Sequence, residues 1–300
     1  MEVSIVAIGD ELLIGQVVDT NSGSLARIMA PYGWEVDHVE VVGDNSGDII
    51  DAIERAMKKN RVVLVTGGLG PTADDITKPT LCKMFGGGLR FDETTLLNVK
   101  EVMNARGREL NKLTEAQAMV PENATVIQNR VGTAPILWFE KNNSVCVCMP
   151  GVPFETIEMF ESAVFPRLRQ KFENHMSVTH LTLVIAGLSE SALATHLADF
   201  EASLPPELHL AYLPQPGIIR LRLDGHSSDS SHLGDIVKEY GDRLRKLTSR
   251  WMISDSDLTP AQILIDHLRA HNLKDSTAES CTGGNIAHQI TLVPGASKVM

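Results

Sequence analysis

The sequence has little positive charge. Its 300 residues contain 27 lysines and arginines against 38 aspartates and glutamates, which gives a formal net charge of -11 at pH 7. Because nucleic-acid backbones and anionic membrane surfaces demand a basic protein face, we expect no nucleic-acid and no membrane partner. A phosphate bound locally by such an acidic chain must be held by backbone N–H groups, helix N-termini or a metal.

Long apolar runs and paired cysteines are also missing. No run approaches the ~18–20 apolar residues that span a bilayer, and the acidic segment 1–6 is too short for a signal peptide. The four cysteines show neither a C-x-x-C pair nor a zinc spacing. Cys146 and Cys148 lie two apart in an apolar run, which predicts two thiols on one face of a buried strand. We expect a cytoplasmic location.

The first 170 residues instead show an alternation of strand and helix patterns. Strands are predicted at Val3–Ile8, Trp34–Val42, Arg61–Val65, Thr125–Gln128 and Ser144–Met149. Helices are predicted at Ser22–Ala30, Asp48–Met57, Ile76–Phe85, Thr94–Arg106, Leu113–Met119 and Phe154–Gln170. This alternation predicts an α/β fold with a mostly parallel sheet and helices on both faces.

The composition changes after about residue 171. The strand and helix patterns between Val178 and Leu247 predict a small α+β middle domain, and the polar segment Ser254–Asp257 predicts a linker. Thr259 and Pro260 then have the residue types expected at a helix start. We therefore predict three domains, at residues 1–170, 171–252 and 258–300.

A glycine-rich segment, Thr66–Thr72, follows the predicted strand Arg61–Val65. Its three glycines let the backbone approach an anion and direct amides at it. The segment has neither a P-loop lysine nor the dinucleotide-binding spacing. Further tight turns are predicted after Ile8, at Gly132–Pro135 and at Pro150–Pro153. Because ligands of α/β folds bind beyond the carboxyl ends of the strands, we expect one shared pocket.

Carboxylates accompany this segment. Asp10 and Glu11 follow the first strand, and Asp74 and Asp75 precede a predicted helix. Acidic residues in such places are often solvated turns or partners of a helix dipole. Beside a phosphate they would repel it unless a metal bridges them, and Mg²⁺ typically binds one or two carboxylates together with phosphate oxygens. From the residues alone, both interpretations stay open.

Several motifs occur in the order of a known family. They are Gly9–Leu13 with Asp19–Asn21, Thr66–Thr77, Gln117-Ala118, Asn129, Gly132–Pro135 and Pro150–Pro153. Together they resemble the molybdopterin-binding-like domain of the competence/damage-inducible protein A (CinA) family over residues 1–170. Residues 171–250 resemble that family's KH-type middle domain, but they contain no G-x-x-G loop, so RNA binding is not implied.

The resemblance implies an ADP-ribose pyrophosphatase that works as a homodimer with a divalent metal (Mg, Mn or Co) and with potassium. A metal on carboxylates supplies the charge neutralisation and the aimed water that this hydrolysis needs. The implied metal ligand is Asp75, assisted by Asp10 and Glu11, and the implied catalytic residues are Asp75 and Glu11. Asp75 is preferred to Asp74 because related pterin-binding domains have an aspartate before the same apolar-Thr pair. The implied substrate contacts are Asp10, Asn21, Thr66, Gly67, Gly68, Gly70, Thr72, Thr77, Lys78, Gly132, Thr133, Ala134, Gly151 and Pro153.

A second motif, Glu279–Gly284, follows a predicted short strand at Ser276–Ala278. It resembles the nicotinamide mononucleotide deamidase domain of the same family, which makes Ser280 the implied nucleophile. The implied base, a tyrosine with a lysine, would lie beyond Lys298, whereas the sequence stops at Met300. We therefore expect an incomplete second site and no deamidation by these residues alone.

Two alternatives remain for the first site. Pterin-binding relatives use a similar glycine-rich loop to hold molybdopterin, so the domain would bind a pterin or nucleotide without hydrolysing it. The family name also fits an interaction protein linked to competence or DNA damage, although the negative charge argues against direct DNA contact.

Overall fold

A computed structural model describes residues 1–72, 75–172 and 177–300. The chain divides into two compact units, residues 1–175 and 176–300. The finer predicted division of the second unit near residues 252–258 stays a prediction.

The first unit has eight strands and eight α-helices in its described residues. The strands are β1 (Glu2–Ile8), β2 (Glu35–Val42), β3 (Val62–Thr66), β4 (Leu89–Phe91), β5 (Met119–Pro121), β6 (Thr125–Ile127), β7 (Ile136–Lys141) and β8 (Ser144–Met149). The helices are α1 (Asp10–Leu13), α2 (Asn21–Met29), α3 (Ser46–Lys59), α4 (Thr77–Phe85), α5 (Glu93–Ala105), α6 (Lys112–Glu115), α7 (Pro153–Met159) and α8 (Phe165–Lys171).

Six of these strands form one sheet in the order β2-β1-β3-β8-β7-β6. The first four are parallel, and β7 and β6 run antiparallel to their neighbours. Successive residues of β1 enter opposite core clusters, with Val3 and Ile5 on one face and Val6 and Ile8 on the other. Burial on both faces is the condition of a helix-covered parallel sheet. The predicted α/β class is therefore confirmed, and so is the buried strand that contains Cys146 and Cys148.

The sequence did not predict β7, although its pairing signal is present. Asn142 and Asn143 both have positive φ, at 51° and 63°, and they connect β7 to β8. Two such residues between apolar runs are typical of a tight hairpin, because asparagine tolerates the left-handed region better than most residues.

Two helix predictions are wrong in part. Leu113–Met119 forms only the short α6 and one further turn, because Met119–Pro121 pairs with Leu89–Phe91 as a small ribbon. Phe154–Gln170 is interrupted by a π-helical stretch, Phe160–Val164. Pro166 lies just beyond that stretch and has no N–H to donate, so the regular hydrogen-bond ladder cannot pass through it.

The second unit has its own set of elements. They are β9 (Ser177–Ala186), α9 (Glu190–Ala202), β10 (Leu208–Gln215), β11 (Ile218–Ser227), α10 (Ser230–Thr248), β12 (Met252–Ser254), α11 (Pro260–Ala270) and α12 (Asn285–Thr291). The four strands form an antiparallel sheet in the order β10-β11-β9-β12. Helices α9 and α10 bury their apolar residues against it in one cluster. None of the helices in the described ranges is long and apolar enough to cross a membrane.

The last segment of the chain has less regular structure than predicted. Thr259 accepts a hydrogen bond from the N–H of Gln262 and begins α11, as its sequence predicts. The predicted strand at Ser276–Ala278 does not form. No strand in the described part of the chain pairs with it, so its backbone lacks the ladder that defines a strand.

Two glycines of the second unit give a matched test of this packing. A Cβ on Gly225 would lie 2.7 Å from Val237 Cγ2 and 2.9 Å from Leu233 Cδ1, whereas a Cβ on Gly234 would meet nothing within 4 Å. We expect Gly225→Ala to lower the free energy of unfolding by about 1–3 kcal/mol through overpacking. Gly234→Ala lies inside α10 and should raise it by about 0.5–1 kcal/mol. Urea unfolding followed by circular dichroism tests both, and equal stabilities would contradict the packing described.

Candidate functional site

The register of the parallel strands brings three loops to one edge of the first sheet. Ala7 of β1 pairs with Thr66 of β3, and Thr66 pairs with Met149 of β8. The segments that follow these strands therefore leave the sheet side by side. Their backbones are tied together at once, because the N–H of Gly67 donates to the carbonyl of Met149 at 3.1 Å.

In residues 66–72, called the glycine loop below, the backbone at Gly67 and Gly68 passes too close to its neighbours for a side chain. A Cβ on Gly67 would lie well inside 3.0 Å of the Ile8 carbonyl, and one on Gly68 equally close to the Thr77 hydroxyl. Both glycines also have positive φ, at 107° and 64°. Gly151 packs against the same loop, with its Cβ position 3.3 Å from the Cα of Gly67. Glycine is thus required here by sterics and by backbone conformation.

Asp75 shapes the end of the glycine loop. Its carboxylate accepts the N–H of Gly70 at 2.7 Å, the N–H of Thr72 at 2.9 Å and the Thr72 hydroxyl at 2.6 Å. The N–H group of Gly70 therefore already has an acceptor within the protein. Within residues 1–72 and 75–172, the N–H groups of Gly68 and Leu69 have no hydrogen-bond acceptor. Of the loop amides predicted to bind an anion, the N–H groups of Gly68 and Leu69 are therefore the pair left available for a ligand.

A buried lysine lies behind the loop. Lys78 Nζ donates to the Gln117 carbonyl at 3.1 Å and to Gln117 Oε1 at 2.5 Å, and Gln117 Nε2 donates to the Leu69 carbonyl at 3.0 Å. Burial lowers the pKa of Lys78 to about 8, against the opposing effect of the Asp75 charge. The ammonium is positive and the N–H ends of the loop amides carry a partial positive charge. Both therefore favour an anion at this position.

The loop after β8 is fixed by two buried polar side chains. Asn21 Nδ2 donates to the Gly151 carbonyl at 2.8 Å. The Thr156 hydroxyl donates to the Pro150 carbonyl at 2.5 Å. Hydrogen bonds of this kind hold Gly151 against Gly67, so the opposite side of the site is also preorganised.

These loops enclose a cleft of about 480 Å³, a size suited to a small-molecule ligand. Eight of the predicted site residues line it: Glu11, Gly67, Gly68, Gly70, Asp75, Thr133, Ala134 and Gly151. The remaining members of its wall are Ile8, Gly9, Asp44, Leu69, Pro71, Gln117, Pro150, Val152 and Glu155. The ligand-contact roles assigned from sequence stay predictions.

The other predicted contacts lie around the cleft and do not line it. Thr66, Thr77 and Lys78 are buried, and Gly132 is buried behind Glu155. Asp10 faces Asp44, with which it exchanges two backbone-to-carboxylate hydrogen bonds. Asn21 and Thr72 support loops as described above, and Pro153 begins α7. These residues therefore shape the cleft through the backbone.

The predicted metal ligands are Asp75, Asp10 and Glu11. No group of three His, Cys, Asp or Glu side chains among the described residues is arranged to hold a metal ion. Both oxygens of Asp75 accept hydrogen bonds from the loop, and Asp10 Oδ1 accepts the N–H of Asp44. Asp74 lies outside the described residues. The divalent metal and the potassium stay predictions.

Sequence reasoning assigned no role to three residues of the cleft wall, Asp44, Gln117 and Glu155. Gln117 was noted only as part of a family motif, although a buried glutamine between helix and strand signals a hydrogen-bonding role. Glu155 follows Pro153 at a helix start, where an acidic residue is ordinarily explained by the helix dipole. Only the fold shows that it faces the cleft.

The second predicted site is open. Ser280 and Cys281 are exposed, and the Ser280 hydroxyl has no hydrogen-bond partner among the described residues. The Glu279 carboxylate accepts the N–H groups of Ala287 and Ile286 at 2.8 and 2.9 Å, and these bonds lower the pKa of Glu279. The described residues therefore show no base beside Ser280, and the nucleophile stays a prediction.

Known proteins with similar sequences now identify the family. The family described as "Probable molybdopterin binding domain" matches residues 4–170, and "CinA C-terminal domain" matches residues 257–300. A CinA-like protein of Flavobacterium psychrophilum is 38% identical over 299 residues, which cover 99% of this chain and 71% of the relative. This chain belongs to the CinA family. A second CinA-like protein, from Cytophaga hutchinsonii, is 36% identical over 98% of this chain and 70% of its own length.

A solved structure agrees with this assignment. The CinA protein of Thermoplasma acidophilum, described as having unknown function, superposes with a TM-score of 0.50 at 30% identity. The match covers 55% of this chain and 96% of that protein. The molybdopterin-binding-like first domain of the CinA family is thus supported by sequence and by structure.

The predicted ADP-ribose pyrophosphatase is corrected by these findings. The family matches describe a molybdopterin-binding domain and a CinA C-terminal domain, and the relatives given above are named only as CinA-like proteins. That specific hydrolase activity was taken over from a general family resemblance, and neither family description nor these names contain it.

The glycine loop predicts a sharp stability difference. Gly67→Ala places a Cβ against the Ile8 carbonyl in a backbone region that L-residues avoid, so we expect a loss of about 2–4 kcal/mol in the free energy of unfolding. Gly23→Ala in α2 meets nothing within 4 Å and serves as the control, with unchanged or slightly higher stability. Thermal and urea unfolding measure both. A Gly67→Ala protein as stable as the control would show that the loop is not as tightly packed as described.

Proposed function

We propose that the first unit binds a phosphorylated small molecule, a nucleotide or a pterin phosphate, in the cleft beside the glycine loop. The observation that carries this proposal is that the successive N–H groups of Gly68 and Leu69 have no acceptor among residues 1–72 and 75–172, in a loop whose positions 67 and 68 admit only glycine. In a chain with a net charge of -11, backbone amides are the means by which an anion can be held without a basic surface.

Three further features support an anion at this position. The strand ends of an open α/β sheet are the ordinary ligand position, and β1, β3 and β8 end together here. The buried Lys78 ammonium lies behind the loop and is linked to it through Gln117. The matched family description names a molybdopterin-binding domain, which agrees with a phosphorylated ligand.

The first test is direct binding to the full chain by calorimetry, with inorganic pyrophosphate and ADP as probes. We expect saturable one-site binding of both probes. Gly68→Ala should weaken it by about tenfold or more, because the added Cβ would displace the loop from Thr77. Gly23→Ala should bind like the unmodified protein. If neither probe binds to protein that circular dichroism shows to be folded, the proposal is wrong.

The second test uses the lowered pKa of Lys78, about 8. As the pH rises through 8 the free protein loses this positive charge, so anion affinity should fall by up to about tenfold between pH 7 and 9. A bound anion favours the charged form, so binding near pH 8 should also take up a proton. Calorimetry in buffers of different ionisation enthalpy measures that uptake.

Lys78→Gln is the matched variant for this pH test. It has no ammonium to titrate, so its affinity should vary with pH only as far as the phosphate itself titrates, and its proton uptake near pH 8 should vanish. If the affinities of the two proteins vary with pH in the same way, the charge of Lys78 does not affect ligand binding.

A further inference from the structure

Glu155 places a negative charge in the same cleft as the glycine loop. Glu155 lies in the first turn of α7 and lines the cleft together with Thr133, Ala134 and Val152. Its side chain is only 12% exposed, so it is a largely buried carboxylate. A buried carboxylate in an anion-binding cleft requires an explanation, because like charges repel and burial penalises the charge.

Among the described residues, only one oxygen of Glu155 accepts a hydrogen bond: Oε2 accepts from Asn129 Nδ2 at 2.9 Å. Oε1 forms an ion pair with Arg106 Nη2 at 3.8 Å, which offsets part of the negative charge but is too long for a hydrogen bond. A carboxylate has about four acceptor positions. Among the described residues no other donor reaches Glu155, and Glu155 lines the cleft, so a ligand there can supply the donors that the protein does not.

The surroundings fix the carboxylate in this position. Asn129 is fully buried and also donates to the Ala134 carbonyl at 3.0 Å. The Glu155 carboxylate fills the space where a side chain on residue 132 would stand, so only glycine there admits it. These contacts hold Glu155 in place, and they explain Gly132 without a direct ligand contact.

We infer that Glu155 is the specificity-determining residue of this cleft, recognising a pair of N–H or O–H donors at the end of the ligand opposite its phosphate. This inference rests on the proposed function. The N–H groups of the glycine loop bind the anionic end of the ligand, and the Glu155 carboxylate repels that end. The ligand therefore binds in one orientation. Suitable donors are the vicinal hydroxyls of a ribose or the amino and N–H edge of a ring such as a pterin.

The test compares four probes on the full chain by calorimetry. Pyrophosphate has no donor end. ADP has a ribose diol and an adenine amino group, 2′,3′-dideoxy-ADP lacks the diol, and 6-hydroxymethylpterin diphosphate has the ring edge without a ribose. The variant is Glu155→Gln, which keeps the size of the side chain and an acceptor for Asn129. Glu158→Gln, an exposed glutamate on the same helix, is the control.

We expect Glu155→Gln to weaken the best donor-bearing probe by about tenfold or more, since a hydrogen bond to a charged group is lost. Pyrophosphate affinity should stay equal or rise, because a repelling charge is removed. Dideoxy-ADP as weak as pyrophosphate assigns the donors to the ribose, and pterin diphosphate binding that depends on Glu155 assigns them to the ring edge.

Two outcomes overturn the two claims separately. If the unmodified protein binds pyrophosphate but Glu155→Gln binds each of the four probes as tightly as the unmodified protein does, the role of Glu155 is wrong while the anion site stands. If the folded protein binds none of the probes, the proposed function itself is wrong. The Glu158→Gln protein should match the unmodified protein throughout.

Discussion

The close approach of Gly67 to the carbonyl of Ile8 and to Gly151 is the contact on which the rest of the first unit's site depends. It joins the ends of three parallel strands at a distance that only backbone atoms can share. Because the strands are buried on both faces, their register cannot slip without repacking both core clusters. The sheet therefore fixes where the loops begin, and the glycines allow them to meet.

Around this contact, hydrogen bonds from side chains hold the backbone of the loops in place. Asp75 closes the loop by accepting hydrogen bonds from the N–H groups of Gly70 and Thr72. Lys78 and Gln117 support the loop from behind, and Asn21 and Thr156 hold the opposite side. The consequence is a rigid cleft in which Gly68 and Leu69 offer amides while Glu155 offers an acceptor.

The sequence predicted most of the framework correctly because the framework depends on local pattern. The buried runs of β1, β3 and β8 are apolar and compact, and the amphipathic α3 is preceded by Asn45, whose side chain caps its N-terminus. One error arose where a tertiary partner overrides local preference, since Met119 has a helical sequence context but pairs with Phe91. The other arose where the apolar pattern of a helix continues past Pro166, which has no N–H for the hydrogen-bond ladder.

The sequence by itself determined that a glycine-rich loop with nearby carboxylates would stand at the strand ends, and its ordered motifs pointed to the CinA family. Only the tertiary structure decided what each carboxylate does, because that depends on donors far away in the chain. Asp75 is satisfied by residues within five positions, whereas Glu155 is held by Asn129, 26 residues before it. Local spacing can predict contacts of the first kind, and contacts of the second kind require the fold.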